Sequence, residues 1–361
     1  DNIVANTAGG FNLKDQVFIT KYPCGTAIMQ LPFWLVAHIL SPDKDGFSFF
    51  YRTAINIAAA FYLCAGLMLS YLAFRKFLTT FRAIMVCAFM LFATNLFYYG
   101  IFETGMSHIY SFAIISALYY MIICKWNEHS GFTIRDYVIL GLLLGMIFLI
   151  RHINLIFIIP FLGIGTKSFH ELKFRFCHYF FSKRSIIFYS TLLLVILPKF
   201  AYTYYLHVHQ LSSSYKGESF NYLFQPKILE VLFAPKNGAI LFSPFLLICL
   251  YFLFKLYRTN QWTFWIITGC FSMITYTYAS WWSYELGCGL GHRGFVEFYP
   301  FLFLPIALFY QSKSFPVILF VLFLICAVYT TKNAYSYDGC FYGIQDWDWN
   351  EHLRFIRSPI K

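Results

Sequence analysis

Ten stretches in which nearly every side chain is apolar follow one another at about 47–74, 83–102, 105–124, 137–150, 153–166, 185–206, 239–254, 262–280, 296–311 and 315–331. A helix needs about 20 residues to cross the hydrocarbon core of a bilayer, and inside it every backbone donor must be satisfied within the segment. Such a chain is expected to be an all-α polytopic membrane protein with about ten transmembrane helices. Only 12% of its 361 residues are charged, against about 25% in soluble domains.

Two of the runs, 137–150 and 153–166, are short, and Arg151-His152-Ile153-Asn154 divides them. Charge placement decides whether both cross. If they do, alternation gathers five loops on one side, around 75–82, 125–136, 167–184, 255–258 and 313. Of the 27 Lys and Arg, 13 fall there against three of the 16 Asp and Glu, which leaves 14 against 13 for the opposite side. Short loops rich in Lys and Arg face the cytoplasm. A single bent helix over 137–166 would put the basic loop 167–184 outside and break the pattern. The outer side then receives residues 1–46, the 281–295 loop and the C-terminal tail.

This topology gives three parts. Residues 1–46 form an outer loop whose apolar stretch 24–40, short and interrupted by Pro32, reads as a re-entrant or interfacial helix before the turn Ser41–Gly46. Residues 47–331 are the transmembrane helical domain, and 332–361 an extracytoplasmic interfacial tail whose Trp347 and Trp349 show no evident chemistry. A second interfacial helix is expected near 226–236, where Ile228, Leu229, Leu232 and Phe233 keep helical spacing. A chain whose first segment is already outside is expected to follow an earlier span, which makes about eleven in the full-length form.

Several classes fall away. The formal charge of +11 is scattered over short loops and forms no basic stripe, so nucleic acid is excluded as a partner. The ten cysteines show no CxxC and no metal-ligand spacing, so neither a disulfide framework nor a metal site is expected. P-loop, GxSxG, HExxH and strand-linked GxGxxG motifs are missing. Few charges lie deep in the spans, which disfavours an ion-coupled transporter.

What remains is the outer face. The stretch Trp281–Pro300 gathers Glu285, His292, Arg293 and Glu297 among glycines and aromatics, and the same side receives Glu103, His108, Arg151, His152, Asn154, Lys216 and Glu218. Ionisable groups at a membrane boundary are costly unless paired or functional. Arginine and lysine suit a headgroup phosphate, and a carboxylate suits a general base. Taken singly, Arg151 and His152 also fit cations snorkelling at a helix end.

The order of Lys21-Tyr22-Pro23-x-Gly25 with Pro32-Phe33, then TNLFYY (94–99), MSHxYSF (106–112), LIRxxN (149–154), YxGESFN (215–221), GxxxxSP (238–244) and SWW with a following GxR (280–293) resembles bacterial members of the GT-C glycosyltransferase superfamily. The similarity is to the protein mannosyltransferase and aminoarabinose transferase branches and runs over nearly the whole chain. The spacer Gly287–Gly291 is longer than that pattern, which leaves the role of His292 open.

The resemblance implies a multispanning inverting enzyme of the bacterial inner membrane. It would move a hexosyl or pentosyl group from a polyprenyl-phosphate donor to a glycan, lipid or protein acceptor on the periplasmic side, without a required cofactor. It implies a general base in the first outer loop, expected upstream of Asp1, with Asp1 and Asp15 as fallbacks and Glu103 and Glu285 as further carboxylates. Lys21 and Tyr22 would lie near the donor, with Arg151, His292 and Arg293 on its phosphate. A carrier or flippase for a lipid-linked saccharide would share the cations but need no base. An inactive fragment lacking the catalytic first loop is the third reading.

Overall fold

The computed structural model describes residues 11–14, 17–20, 22–125, 132–205, 218–337 and 346–360. The described residues are helical, with turns, apart from one antiparallel hairpin, β1 (Phe11–Lys14) with β2 (Val17–Thr20), in register Phe11 to Thr20. The hairpin departs from the all-α expectation, and Val17-Phe18-Ile19-Thr20 is a run of β-formers. The stretch expected to form an interfacial or re-entrant helix is helical, as α1 (Gly25–Leu40). Then come α2 (Phe49–Phe74), α3 (Thr80–Phe92), α4 (Leu96–Ile101), α5 (Ser107–Lys125) and α6 (Ile134–Ile150). A 3-10 turn (His152–Phe157) leads into α7 (Ile158–Gly163), α8 (Phe169–Phe181) and α9 (Ser185–Tyr205). The chain continues with α10 (Ile228–Phe233), α11 (Ala239–Phe242), α12 (Phe245–Leu256) and α13 (Gln261–Ser280). A second 3-10 turn (Arg293–Phe298), α14 (Tyr299–Phe309), α15 (Val317–Ser336) and α16 (Trp349–Arg357) complete it.

Among the described residues four helices are long and apolar enough to cross a membrane: α2, α5, residues 185–202 of α9, and α15. Burial sorts them, since 72% of the apolar window of α5 is inside the fold and only 11% of that of α9. The outer faces of α9 and α15 expose Leu193, Leu194 and Leu197, and Val317, Ile325 and Val328. Apolar strips of that size need a lipid or protein cover.

Small residues let the long helices approach. On α2, Ala58, Ala59, Gly66, Ser70 and Ala73 are buried toward α5, where a Cβ at Gly66 would overlap the Phe112 ring and Ser70 bonds Ser116 at 3.2 Å. Gly141 and Gly145 of α6 do the same against Thr191 and Val195 of α9. Such stripes are how apolar helices gain dispersion contact where lipid offers no hydrophobic advantage.

Two ends of the bundle differ. At one, Arg82 donates to the Tyr310 carbonyl at 2.7 Å, Tyr137 to the His178 carbonyl at 3.0 Å, and Lys125 pairs with Asp136 at 3.3 Å. The basic loops therefore meet in pairs, 75–82 with the one around 313 and 125–136 with 167–184. Residues 137–166 go up and back: α6 leaves this end, and Phe161 of α7 returns to it against Phe132 and Tyr179. The basic loop 167–184 also holds α8, whose Phe169, Phe174 and Phe181 are exposed; its moderate length and mixed charge hid this amphipathic helix.

The remaining apolar runs are not continuous. The run 83–102 breaks at Ala93-Thr94-Asn95, 239–254 at Ser243-Pro244, and 296–311 opens as a 3-10 turn. Thr94 turns its hydroxyl back onto the Met90 carbonyl at 2.6 Å and accepts the Leu96 amide at 3.2 Å, which ends α3. Pro244 cannot donate to an ongoing helix. Irregular backbone at such depth persists only where protein satisfies it, and all these breaks lie at the end away from the basic loops.

Candidate functional site

The breaks share hydrogen bonds. Asn95, 1% exposed, receives the Tyr299 hydroxyl on its side-chain oxygen and gives its amide to the Leu290 carbonyl at 3.0 Å, while its backbone N–H meets the Ser243 hydroxyl at 3.0 Å. One residue thus ties α4, α12, α14 and the 281–292 loop. The sequence reading included Asn95 in a motif without giving it a role.

Beside it lies a charged network. Glu297 is fully buried, and its Oε1 lies 3.2 Å from His108 Nδ1, 3.4 Å from Asn154 Nδ2 and 3.6 Å from Arg151 Nε. Arg151 Nη1 is 2.8 Å from His108 Nε2, and Nη2 donates to the Tyr278 hydroxyl at 2.9 Å. A carboxylate can only accept, so His108 carries its proton on Nδ1 and accepts from Arg151 on Nε2. The neutral imidazole satisfies both neighbours. Asn154 also donates to Ser111 at 2.6 Å. Arg151 reaches this network because α6 ends at Ile150 and Arg151 is extended (φ −154°, ψ 111°), which sends His152 to the other side, onto Lys199 Nζ at 2.8 Å.

The loop 281–292 is built around Arg293. Leu286, Gly287 and Gly291 have φ of 59°, 69° and 67°, and a non-glycine residue held there marks a conformation that its surroundings impose. Gly291 has a second reason for lacking a side chain, since a Cβ would come 2.7 Å from that of Phe242. The loop carbonyls are taken up one by one: Glu285 by Asn237 at 2.7 Å, Cys288 by Arg293 at 2.7 Å and Leu290 by Asn95. His292 Nε2 donates to the Tyr284 carbonyl at 2.8 Å. Burial pushes this imidazole down to about 3; the Tyr284 bond opposes the shift and Arg293 adds to it. Its Nδ1 has no hydrogen-bond partner among the described residues.

Arg151 and Arg293 arrive at the same place. Arg151 touches Ser107 Oγ at 3.5 Å and His108, and Arg293 touches Met106 Sδ at 3.9 Å. They flank the first turn of the 19-residue helix α5, whose leading amides have no intrahelical acceptor and which carries the positive end of the helix dipole. Glu297 balances one guanidinium. The described polar contacts of Arg293 are a carbonyl and a thioether, both neutral.

The other expected residues are spread around this centre. Glu103 accepts the Tyr98 hydroxyl at 3.0 Å, and Glu285 pairs with Lys236 at 3.6 Å. Tyr22 is 57% exposed, and Gly25 behind it rests on the backbone of Leu149 and Ile150, which brings the 22–25 segment to the end of α6. Glu218 leads into a segment running along 279–282, with the Trp282 amide on the Ser219 carbonyl at 3.0 Å. Expected as substrate contacts, His108, Asn154, His292 and Glu297 are all buried and face other side chains. Asp1, Asp15, Lys21 and Lys216 lie outside the described residues.

One finding corrects the sequence reading and a second adds to it. Cys288 is disulfide-bonded, although no disulfide was expected; it sits in a glycine-rich loop and not in an apolar run. The tail, given no chemistry, carries Asp346, which reaches Lys236 at 3.6 Å and accepts the Tyr284 hydroxyl at 2.5 Å. Among the described residues no group of three or more His, Cys, Asp or Glu side chains could hold a metal ion. No protein-family model, curated protein or solved structure matches the chain, so family resemblance is carried by the motifs alone.

Proposed function

We propose that the protein is a membrane glycosyltransferase that takes a sugar from a polyprenyl-phosphate donor and passes it to a glycan, lipid or protein acceptor at the outer face of a bacterial inner membrane. The observation that carries this reading is the convergence of Arg151 and Arg293 on the first turn of α5. Two guanidinium groups and a helix N-terminus together make a site for an anionic group. Because Glu297 already neutralises Arg151, Arg293 is the principal phosphate contact and Arg151 shapes the pocket with His108. In this reading the chain crosses the membrane about ten times. The meeting of the basic loops at the opposite end supports a cytoplasmic position for that end. The disulfide at Cys288 fits an oxidising compartment on the side of the site.

The chemistry asked of the site is stabilisation of the leaving phosphate while a carboxylate takes the acceptor proton. Glu297 is unsuited as that base because it is buried and ion-paired. Glu103, half-buried and bonded to Tyr98, is the described carboxylate nearest the start of α5 in sequence and the preferred candidate. The decisive test is sugar transfer from a polyprenyl-phosphate donor by the purified protein and by Arg293→Ala. A loss of at least a hundredfold supports the reading, and unchanged transfer by the variant overturns it. Movement of the lipid-linked sugar across vesicles without any transfer would favour a carrier instead.

A further inference from the structure

We infer that Asp346 in the C-terminal tail is a positioning residue that locks the loop presenting Arg293, so that the tail is part of the functional site although it supplies no group to the ligand. For its ligand this rests on the anion-site reading above; for the ordering of the loop it does not.

Asp346 joins the tail to two other segments. Its carbonyl accepts the Lys236 backbone amide at 3.3 Å, its Oδ1 lies 3.6 Å from Lys236 Nζ, and its Oδ2 takes the Tyr284 hydroxyl at 2.5 Å. Lys236 in turn reaches Glu285 Oε1 at 3.6 Å, and neighbouring Asn237 holds the Glu285 carbonyl at 2.7 Å. Thus Asp346, Lys236, Tyr284 and Glu285 form one closed set of contacts at the root of the loop. From there a short path leads to the guanidinium: the Tyr284 carbonyl holds His292, and Arg293 closes the loop on the Cys288 carbonyl at 2.7 Å. A second tie enters from the same part of the chain, where the Tyr337 hydroxyl accepts the Gly289 amide at 2.9 Å.

The loop needs such support. Leu286 is held at a φ of 59°, and a non-glycine residue so placed keeps its conformation only while its surroundings over-determine it. A ligand-binding side chain on a loop gains precision from the contacts behind it. The Asp346 side chain is 23% exposed and Tyr284 is half-buried, so their bond is partly shielded from water, and losing it is expected to cost about a tenfold change in the opening equilibrium.

The test uses the full chain in detergent with Asp346→Asn, Asp346→Ala and Tyr284→Phe. Tyr284→Phe removes one hydroxyl and is the variant least able to disturb folding. Hydrogen exchange is followed over 284–293 and over α5 as an internal reference, and binding of farnesyl phosphate is titrated beside Arg293→Ala. The expected result is exchange about tenfold faster in the loop, none in α5, and farnesyl phosphate bound about tenfold more weakly, with Asp346→Asn intermediate between wild type and Asp346→Ala. Loop exchange unchanged in Asp346→Ala and Tyr284→Phe overturns the positioning role. If the loop loosens while affinity holds and Arg293→Ala does lose affinity, the link from the lock to Arg293 is overturned. If Arg293→Ala also binds normally, it is the anion-site reading that fails.

Discussion

Glu297 and Arg151 form a buried ion pair, with Oε1 3.6 Å from Nε, across the junction of two interrupted helices. The carboxylate is fully buried and the arginine side chain 18% exposed, so the pair is enclosed on its acidic side and partly open on its basic side. A pair of this kind is weak evidence for stability but expensive to halve, because the survivor stays desolvated.

Arg151→Ala, which strands the fully buried Glu297 carboxylate, is therefore expected to destabilise the protein by about 3 kcal/mol, more than Glu297→Ala, which leaves an arginine with partial access to water. Thermal unfolding in detergent measures both. Equal and small shifts would mean that the pair contributes little and that His108 and Asn154 hold Glu297 without Arg151.

Stability should also depend on pH through His292. Burial holds this imidazole neutral down to about 3, while in the unfolded chain it titrates at about 6.5. Between those values the unfolded state binds the extra proton, so stability falls as pH is lowered through this window and is fully present above it. Comparing His292→Gln with the parent at pH 7 and pH 5 checks this. The variant should lose less stability between the two, and parallel losses would show that other groups govern the acid limb.

Asn95 offers a sharper structural test. Replacing it by Ala leaves the Tyr299 hydroxyl and the Leu290 carbonyl without their present partners in a buried place, at a cost of about 1–3 kcal/mol for each group. Asn95→Ala combined with Tyr299→Phe should recover part of that loss, since the phenylalanine brings no hydroxyl to satisfy. A double variant no more stable than the single one would mean that the hub matters through packing.

The apolar runs, the turn at 41–46, the helix over 25–40 and the separation of basic from mixed-charge loops were all legible, because each is a local property of composition and period. Of the expected residues, those in MSH, RHIN and the 292–297 stretch converge in part, bringing together His108, Arg151, Asn154, Arg293 and Glu297, while His152 turns to Lys199 and Glu103 and Glu285 pair elsewhere. Which of them face inward was not legible. Glu297 and Arg293 stand four residues apart in one turn of chain, and only the placement of α5 and α6 decides that one is enclosed and the other partly exposed. Breaks at Asn95 and Ser243 were hidden inside apolar runs, since one or two polar residues barely change a window of twenty. The Asp346 contacts join segments far apart in sequence, and no periodicity reports such pairs.

Sidedness is the last prediction, because the proposed chemistry fails if the site and the basic loops share a compartment. Cys177 on α8 is an exposed free thiol in the loop 167–184, so it serves as a native reporter for the basic end. In intact cells a membrane-impermeant maleimide should leave Cys177 and an introduced Lys313→Cys unlabelled, and label them once the membrane is opened. Tyr22→Cys and Trp282→Cys, which replace exposed rings at the other end, should react without permeabilisation. Labelling of Cys177 and position 282 from one side would place Arg293 with the basic loops, and a polyprenyl-phosphate site on the outer leaflet could then not be built from it.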